Sequence, residues 1–338
     1  MKTFNIIIFT VIISLCFISC GQKQSSHTEF ALGTVCSVTL FEQSEKSIYN
    51  EVFSRIREIE NLMSVNIPSS DISRVNAAAG TEPVIVHEET FKVIERALYY
   101  AEFSGGAFDL TVGPLVSLWG IGKEEQRIPL RQEILDALPL INWRNVELDR
   151  QKKSVFLKIK GMSLDLGAIA KGYAADEAVK IIKRGGVKRA IIDLGGNIVV
   201  LGEKKDGSLW NVGIQNPDKN RGDVIGFLQL TEKTIVTSGV YERFFEENNQ
   251  RYHHLFDPSR GYPAKNGLLS VTLITDISMD ADALSTALFV LGYEEGKKLI
   301  ASLPGTEAFF VFEDRSIIMT DGINFTLTDK TFYIKNIL

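Results

Sequence analysis

The chain switches repeatedly between two hydrophobic periods. Residues 30–40 (FALGTVCSVTL) alternate apolar and polar positions after an early glycine and predict a strand. Over 50–63 the period lengthens, with Val52, Ile56, Ile59 and Met63 on one helical face. Serines and Pro68 then mark a loop through Gly80. Residues 89–103 predict a second amphipathic helix, with Phe91, Ile94, Leu98 and Ala101 inward, stopped by Ser104-Gly105-Gly106. A short helix is expected over 131–138, then a hairpin of NVELD and SVFLKI split by RQKK. Gly161 to Asn197 reads strand, tight turn, helix, glycine break, strand, glycine turn. Beyond Asn197 the pattern is mostly strands (NIVVLG, LWNVGI, VIGFLQL), until SVTLITDI runs into a helix and EAFFVFE with SIIMT closes a hairpin. No internal repeat or low-complexity linker interrupts 30–338. The expected fold class is α+β (mixed α/β), one catalytic-sized unit with two lobes around a cleft.

Composition narrows this picture. With 338 residues, 45% hydrophobic and 23% charged, the chain is globular in type. A net charge of −5 offers no basic patch, so no nucleic-acid partner is expected. The start differs from the rest: Lys2, an apolar run and Ser19 before Cys20 read as a signal peptide over 1–19. That run is too short for a convincing membrane span. Phe17-Ile18-Ser19-Cys20 resembles a bacterial lipobox, which implies cleavage before Cys20 and lipid on its sulfur. Residues 20–29 then form a polar tether, and the protein is expected at the bacterial cell envelope, anchored to a membrane and facing outward or periplasmic. Cys16 leaves with the signal, so Cys36 has no disulfide partner and reads as a buried strand residue.

Polar residues concentrate at turns. Asp165, Lys171, Asp176 and Asn197 stand among Gly167, Ala168, Ala170, Gly172, Gly195 and Gly196, where backbone can approach a ligand closely. An acid, a lysine and exposed amides at a helix start suit a phosphate with its metal. Read alone, the stretch is also an ordinary βα turn, and it carries neither dinucleotide-fold nor P-loop spacing. His253 and His254 lack a second ligand pair at zinc spacing, and alternation turns one inward and one outward. Asp282 and Thr286 are four apart and share a helical face. They are hard oxygen donors suited to Mg²⁺, or simply an acidic first turn with a packed threonine.

DLGAIAKGYAAD followed by IIDLGGN resembles the signature of the ApbE family, the FAD:protein FMN transferases. Further blocks match in order over residues 30–325: LGT, SDISRVN, AFDLTVGPL, TSGVYERFF, HHLFDP and the Asp282/Thr286 helix. The resemblance implies transfer of FMN from FAD to a threonine or serine hydroxyl of a target protein, releasing AMP. It implies FAD contacts at Leu32, Asn66, Ala107, Phe108, Asp109, Asp165, Lys171 and Leu255. Asp282, Thr286 and the carbonyl of Ala168 would hold Mg²⁺, and either Asp282 or His254 would take the acceptor's proton. The implied acceptors are subunits of redox pumps or flavin reductases. Two departures stand out: Leu32 replaces a methionine, and Asn66 replaces an aromatic that stacks on the nucleotide. Asn66 keeps an FAD pyrophosphatase in view, giving FMN and AMP. A non-catalytic flavin-binding lipoprotein is the alternative outside enzymes.

Overall fold

The structure, a computed structural model, describes residues 25–42 and 46–337. The expected signal peptide, Cys20 and the first half of the tether lie outside the described residues.

Nine strands lie side by side in chain order: β1 (Ser25–Ala31), β2 (Thr34–Leu40), β3 (Ala190–Leu194), β4 (Asn197–Leu201), β5 (Lys233–Gly239), β6 (Leu268–Thr275), β7 (Glu307–Phe312), β8 (Ser316–Met319) and β9 (Tyr333–Ile337). Neighbours are antiparallel except β8 and β9. Helices α1 (Lys46–Met63), α2 (Asp71–Ala77), α3 (Glu88–Phe103), α4 (Gly113–Trp119), α5 (Arg131–Ala137) and α6 (Ala170–Arg184) all fall between β2 and β3, and α7 (Ser278–Ala301) between β6 and β7. The architecture is mixed α and β, as the periodicity predicts.

Alternation sorts the sheet's two faces. Val236 joins the main core, where α7 packs on β5 and β6 and α6 packs between α1 and α7. Its neighbour Ile235 points the other way, with Val200, Phe309 and Ile317, onto a three-stranded sheet bearing Trp210 and Leu228. Cys36 is fully buried in β2, as expected of a packed strand residue, and burial pushes its thiol up to about 11.

Four expectations change. The strand expected over 30–40 is two strands joined at Leu32-Gly33, with φ +53° and +67° and Ala31 opposite Thr34. Two consecutive left-handed residues make the turn whose twist matches a hairpin. The first of these strands starts at Ser25, inside the expected tether: its backbone pairs with β2, while His27 lies against Phe53, with ring centroids 5.1 Å apart. Residues 161–166, expected as a strand, join no sheet. Asn76 receives the Leu164 N–H at 2.7 Å and donates to its carbonyl at 3.0 Å, and Asp165 N–H bonds Leu110 O at 2.8 Å. Finally, the serine loop contains α2, capped by Ser70 Oγ accepting from Ser73 N–H at 3.0 Å; α4, opened by a proline and closed by left-handed Gly120, also has no counterpart in the periodicity.

Candidate active site

A cavity of about 640 Å³ opens between the helical insertion and the ends of β2–β5. Leu32, Asn66, Ala107, Phe108, Asp109, Asp165, Ala168, Lys171, His254, Leu255, Asp282 and Thr286 all line it. Residues from separated blocks of the sequence thus meet in one place.

The floor is the crossing of α6 and α7. A Cβ at Gly172 would come within 2.2 Å of Ser278 O, so only glycine lets the two helices approach this closely. That contact brings the first turn of α6 against Asp282, which is 4% exposed. Asp282 accepts the Gly172 N–H at 3.0 Å and the Lys171 ammonium at 3.2 and 3.3 Å. Lys171 also donates to Gly167 O at 2.7 Å. One carbonyl and both oxygens of one carboxylate therefore converge on a cation. Thr286, one turn further, is 3.4 Å from Ser238 Oγ at the end of β5.

Asp165 folds the turn before α6: its Oδ1 accepts the Gly167 N–H at 2.7 Å. Asp109 is buried and partly committed as well, accepting from Thr111 N–H at 2.8 Å, Thr111 hydroxyl at 2.7 Å and Trp143 N–H at 3.1 Å. Burial raises its carboxyl above the usual range. Leu255 was expected to present backbone to FAD; its N–H bonds His253 Nδ1 and its carbonyl takes the Ala264 N–H, so both groups already have partners. Asn66 lies exposed on the rim, its N–H bonded to Ser64 Oγ at 3.2 Å.

The histidine pair divides as alternation predicts. His253 is buried, edge-on to Phe289, and donates from Nε2 to Ala264 O at 3.0 Å. His254 faces the cavity with Nδ1 3.2 Å from Arg243 O. A carbonyl only accepts, so the hydrogen is on Nδ1 and Nε2 keeps its lone pair. Desolvation, with the nearby charges of Arg243 and Lys171, pushes this imidazole down to about 3, and it stays neutral.

Asp176 does not belong with the site. Its carboxylate points to the other side of α6 and accepts the Ser278 and Met279 N–H groups, both at 2.9 Å, capping α7. Burial raises it to about 6. Conversely, Asn197 belongs more firmly than expected. It is 1% exposed in the cavity wall, its Oδ1 accepts from Ser278 Oγ at 2.5 Å, and its Nδ2 has no partner among the described residues. The sequence marks Asn197 only by the two glycines before it. Ser238, Glu242 and Arg243, within the TSGVYERFF block, also line the cavity, as does Arg221, which no block marks.

Among the described residues no three His, Cys, Asp or Glu side chains cluster to hold a metal. A magnesium site here would instead draw on one carboxylate, one hydroxyl and a backbone carbonyl. Asp282, Thr286 and Ala168 line the same cavity, and such a hard oxygen set fits a divalent cation that also binds substrate phosphates.

The sequence pattern described as the ApbE family matches residues 32–310. A protein of Treponema pallidum named FAD:protein FMN transferase is 37% identical over 326 residues, covering 90% of each chain. One of the same name from Klebsiella pneumoniae is 38% identical over 295 residues, covering 87% of this chain and 91% of its own. Among solved structures, the ApbE protein of Thermotoga maritima superposes with a TM-score of 0.79 at 34% identity, over 91% of this chain and 98% of that one. The flavin transferase ApbE of Vibrio cholerae gives 0.78 at 27% identity, over 92% and 98%.

Proposed function

The chain belongs to the ApbE family, and on that premise we propose that it is an FAD:protein FMN transferase, moving FMN from FAD onto a serine or threonine hydroxyl of a target protein. The observation that carries the reading is the convergence of Lys171, Asp282 and Thr286 beside His254 in one cavity.

In the transfer, the acceptor oxygen attacks the phosphorus of the FMN half. The bond from that phosphorus to the bridging oxygen breaks, and AMP leaves with the electron pair. Mg²⁺, held by Asp282, Thr286 and the Ala168 carbonyl, would supply charge neutralisation of the pyrophosphate. Lys171, bonded to the Asp282 carboxylate, would counter phosphate charge. Asn197 Nδ2 offers a donor to a phosphate oxygen. Of the two candidates for the proton, the geometry favours His254: its Nε2 lone pair is unspent, whereas Asp282 is engaged by Lys171 and the Gly172 N–H. Asp165 and Asp109 shape the turns against which FAD would lie, with Phe108 and Ala107 beside them and Leu32 at the hairpin tip.

Asn66 supports a second outcome in the same site. A small amide on an exposed rim cannot cover the nucleotide as an aromatic would, so water reaches the phosphorus and some FAD is hydrolysed to FMN and AMP. Lipid on Cys20 would hold the enzyme at the membrane face of the cell envelope, where pump or reductase subunits present acceptor segments; Cys20→Ala would then appear in the soluble fraction.

The deciding experiment incubates residues 21–338 with FAD, Mg²⁺ and an acceptor domain bearing D-x-x-[ST]-G-A-[ST], and reads acceptor mass and AMP. An FMN-sized gain that EDTA abolishes establishes transfer. AMP and FMN with no mass gain indicate the hydrolase. Bound FAD with neither product, with or without metal, leaves a flavin-binding lipoprotein.

A further inference from the structure

The sides of α6 and α7 turned away from the catalytic cavity line a second one, of about 1120 Å³. Tyr173 and Asp176 come from α6, and Met279 and Asp280 from the first turn of α7. The facing wall is α3, through Lys92, Arg96 and Tyr99, together with Trp143 and Arg144.

Its charges divide into those already used and those still available. Arg96 grips Asp280 with two bonds of 2.7 Å while its guanidinium lies 4.7 Å from the Tyr99 ring centre. Asp176 is occupied with the α7 N–H groups, and Arg150 pairs with Glu95 at 2.6 Å. Lys92 and Arg144 are different. Among the described residues neither has an ion-pair partner; each only overlies a ring, Lys92 that of Tyr173 at 5.7 Å and Arg144 that of Trp143 at 4.3 Å. Against them stand two carboxylates that have no ion-pair partner among the described residues, Glu102 and the N–H-bonded Asp176. The rim carries Tyr99 and Ile277, each 47% exposed, so large apolar surface faces open space beside unpaired positive charge. A cavity of this size with ring surface and a few placed charges is the usual form of a small-molecule site.

We propose that this cavity is a second ligand site, for a planar aromatic anion of up to nucleotide size, and that its occupancy is coupled to the catalytic cavity. The ring lies against Tyr99 and Trp143, and the anionic group meets Arg144 and Lys92. The ligand touches Met279 and Asp280, the latter two positions before Asp282 on the same helix. It also rests on the side of α6 opposite Lys171. A change in how α7 starts therefore reaches Asp282 directly, and linkage makes the effect reciprocal: the ligand alters FAD affinity by the factor that FAD alters its own. The proposal rests on this second cavity and not on the transferase reading.

The test is calorimetric titration of 8-anilinonaphthalene-1-sulfonate into FAD-loaded residues 21–338, which keep every described element. One saturable site is expected, weakened tenfold or more in Arg144→Ala/Tyr99→Ala and in Lys92→Ala, and unchanged in Lys171→Ala. FAD affinity should shift at least threefold when the probe is bound. No saturable binding, binding that survives both sets of variants, or displacement of the probe by FAD with loss in Lys171→Ala would overturn the site. Equal FAD affinity with and without probe would overturn the coupling. The FAD affinity of the Arg144→Ala/Tyr99→Ala and Lys92→Ala variants without probe, unchanged from wild type, shows that the fold is intact.

Discussion

The two sides of the catalytic cavity are built differently. The α6–α7 floor is buried and close-packed, with Gly172 against Ser278, Asp282 held by a lysine and a backbone N–H, and Ser278 bonded to Asn197. The rim is exposed and sparsely bonded, carrying Asn66, Arg221, Glu242 and Arg243. Groups that must hold charge to a fraction of an ångström are placed where packing fixes them. Groups that meet water and a changing protein partner are placed where the chain tolerates substitution. Floor variants should thus lose chemistry or stability, and rim variants should shift the balance between products.

The largest effect is expected at Asp282. Asp282→Ala should cut both transfer and hydrolysis on the order of 10²-fold or more, with FAD binding also weakened; AMP release at near wild-type rate would remove it from the reaction. His254→Gln follows, with a loss of about 10²-fold in transfer. Its folded pKa lies near 3, below the ordinary value of 6.5, so the native imidazole remains neutral as pH falls from 8 through 5. The rate should show no titration centred near 6.5 that His254→Gln removes; one that vanished in the variant would contradict the placement. The same shift makes His254 withhold stability as pH drops below 6.5, because the unfolded chain takes up a proton that the folded one does not.

Gly172→Ala should lower stability by about 1–3 kcal/mol, read as a lower melting temperature, since a methyl group there would meet the Ser278 carbonyl and Met279 Cα. An unchanged melting temperature would show that the helix crossing relaxes. The smallest effect separates floor from rim most cleanly: Asn66→Tyr should reduce acceptor-free AMP release several-fold while leaving the melting temperature alone. Equal rates would mean the rim does not control water.

Much of the floor is legible in the amino-acid sequence. The Asp282/Thr286 spacing puts both residues on one helical face whatever the fold, and His253 and His254 separate by alternation alone. Elements carried by long apolar periods, such as α1 and α3, lie within a few residues of where the pattern puts them. What the pattern hides depends on contacts remote in sequence. Asp176 looks like a ligand because it follows Lys171 in a small-residue stretch, yet helical geometry turns it to the opposite side, where it caps α7. Asn197 shows its worth only once Ser278 is seen to occupy one end of its amide. The hairpin at Leu32 escapes notice because leucine seldom takes a left-handed conformation, and α2 does so because its cap and polar face resemble a turn.

The sheet, with its nine strands in chain order, has a consequence for how the protein comes together. From β3 to β8 each strand pairs with the next strand of the same sheet, across connections far shorter than the one between β2 and β3. Between β2 and β3 the chain departs for the whole of 41–189 before returning. That single pairing is of high sequence separation, and contacts of this kind slow folding more than they weaken the native state. The β1–β2 hairpin, with Leu32 at its tip, should therefore dock late, onto a sheet that already exists. Since Leu32 and Gly33 line the cavity, substrate binding would report on the last step of assembly.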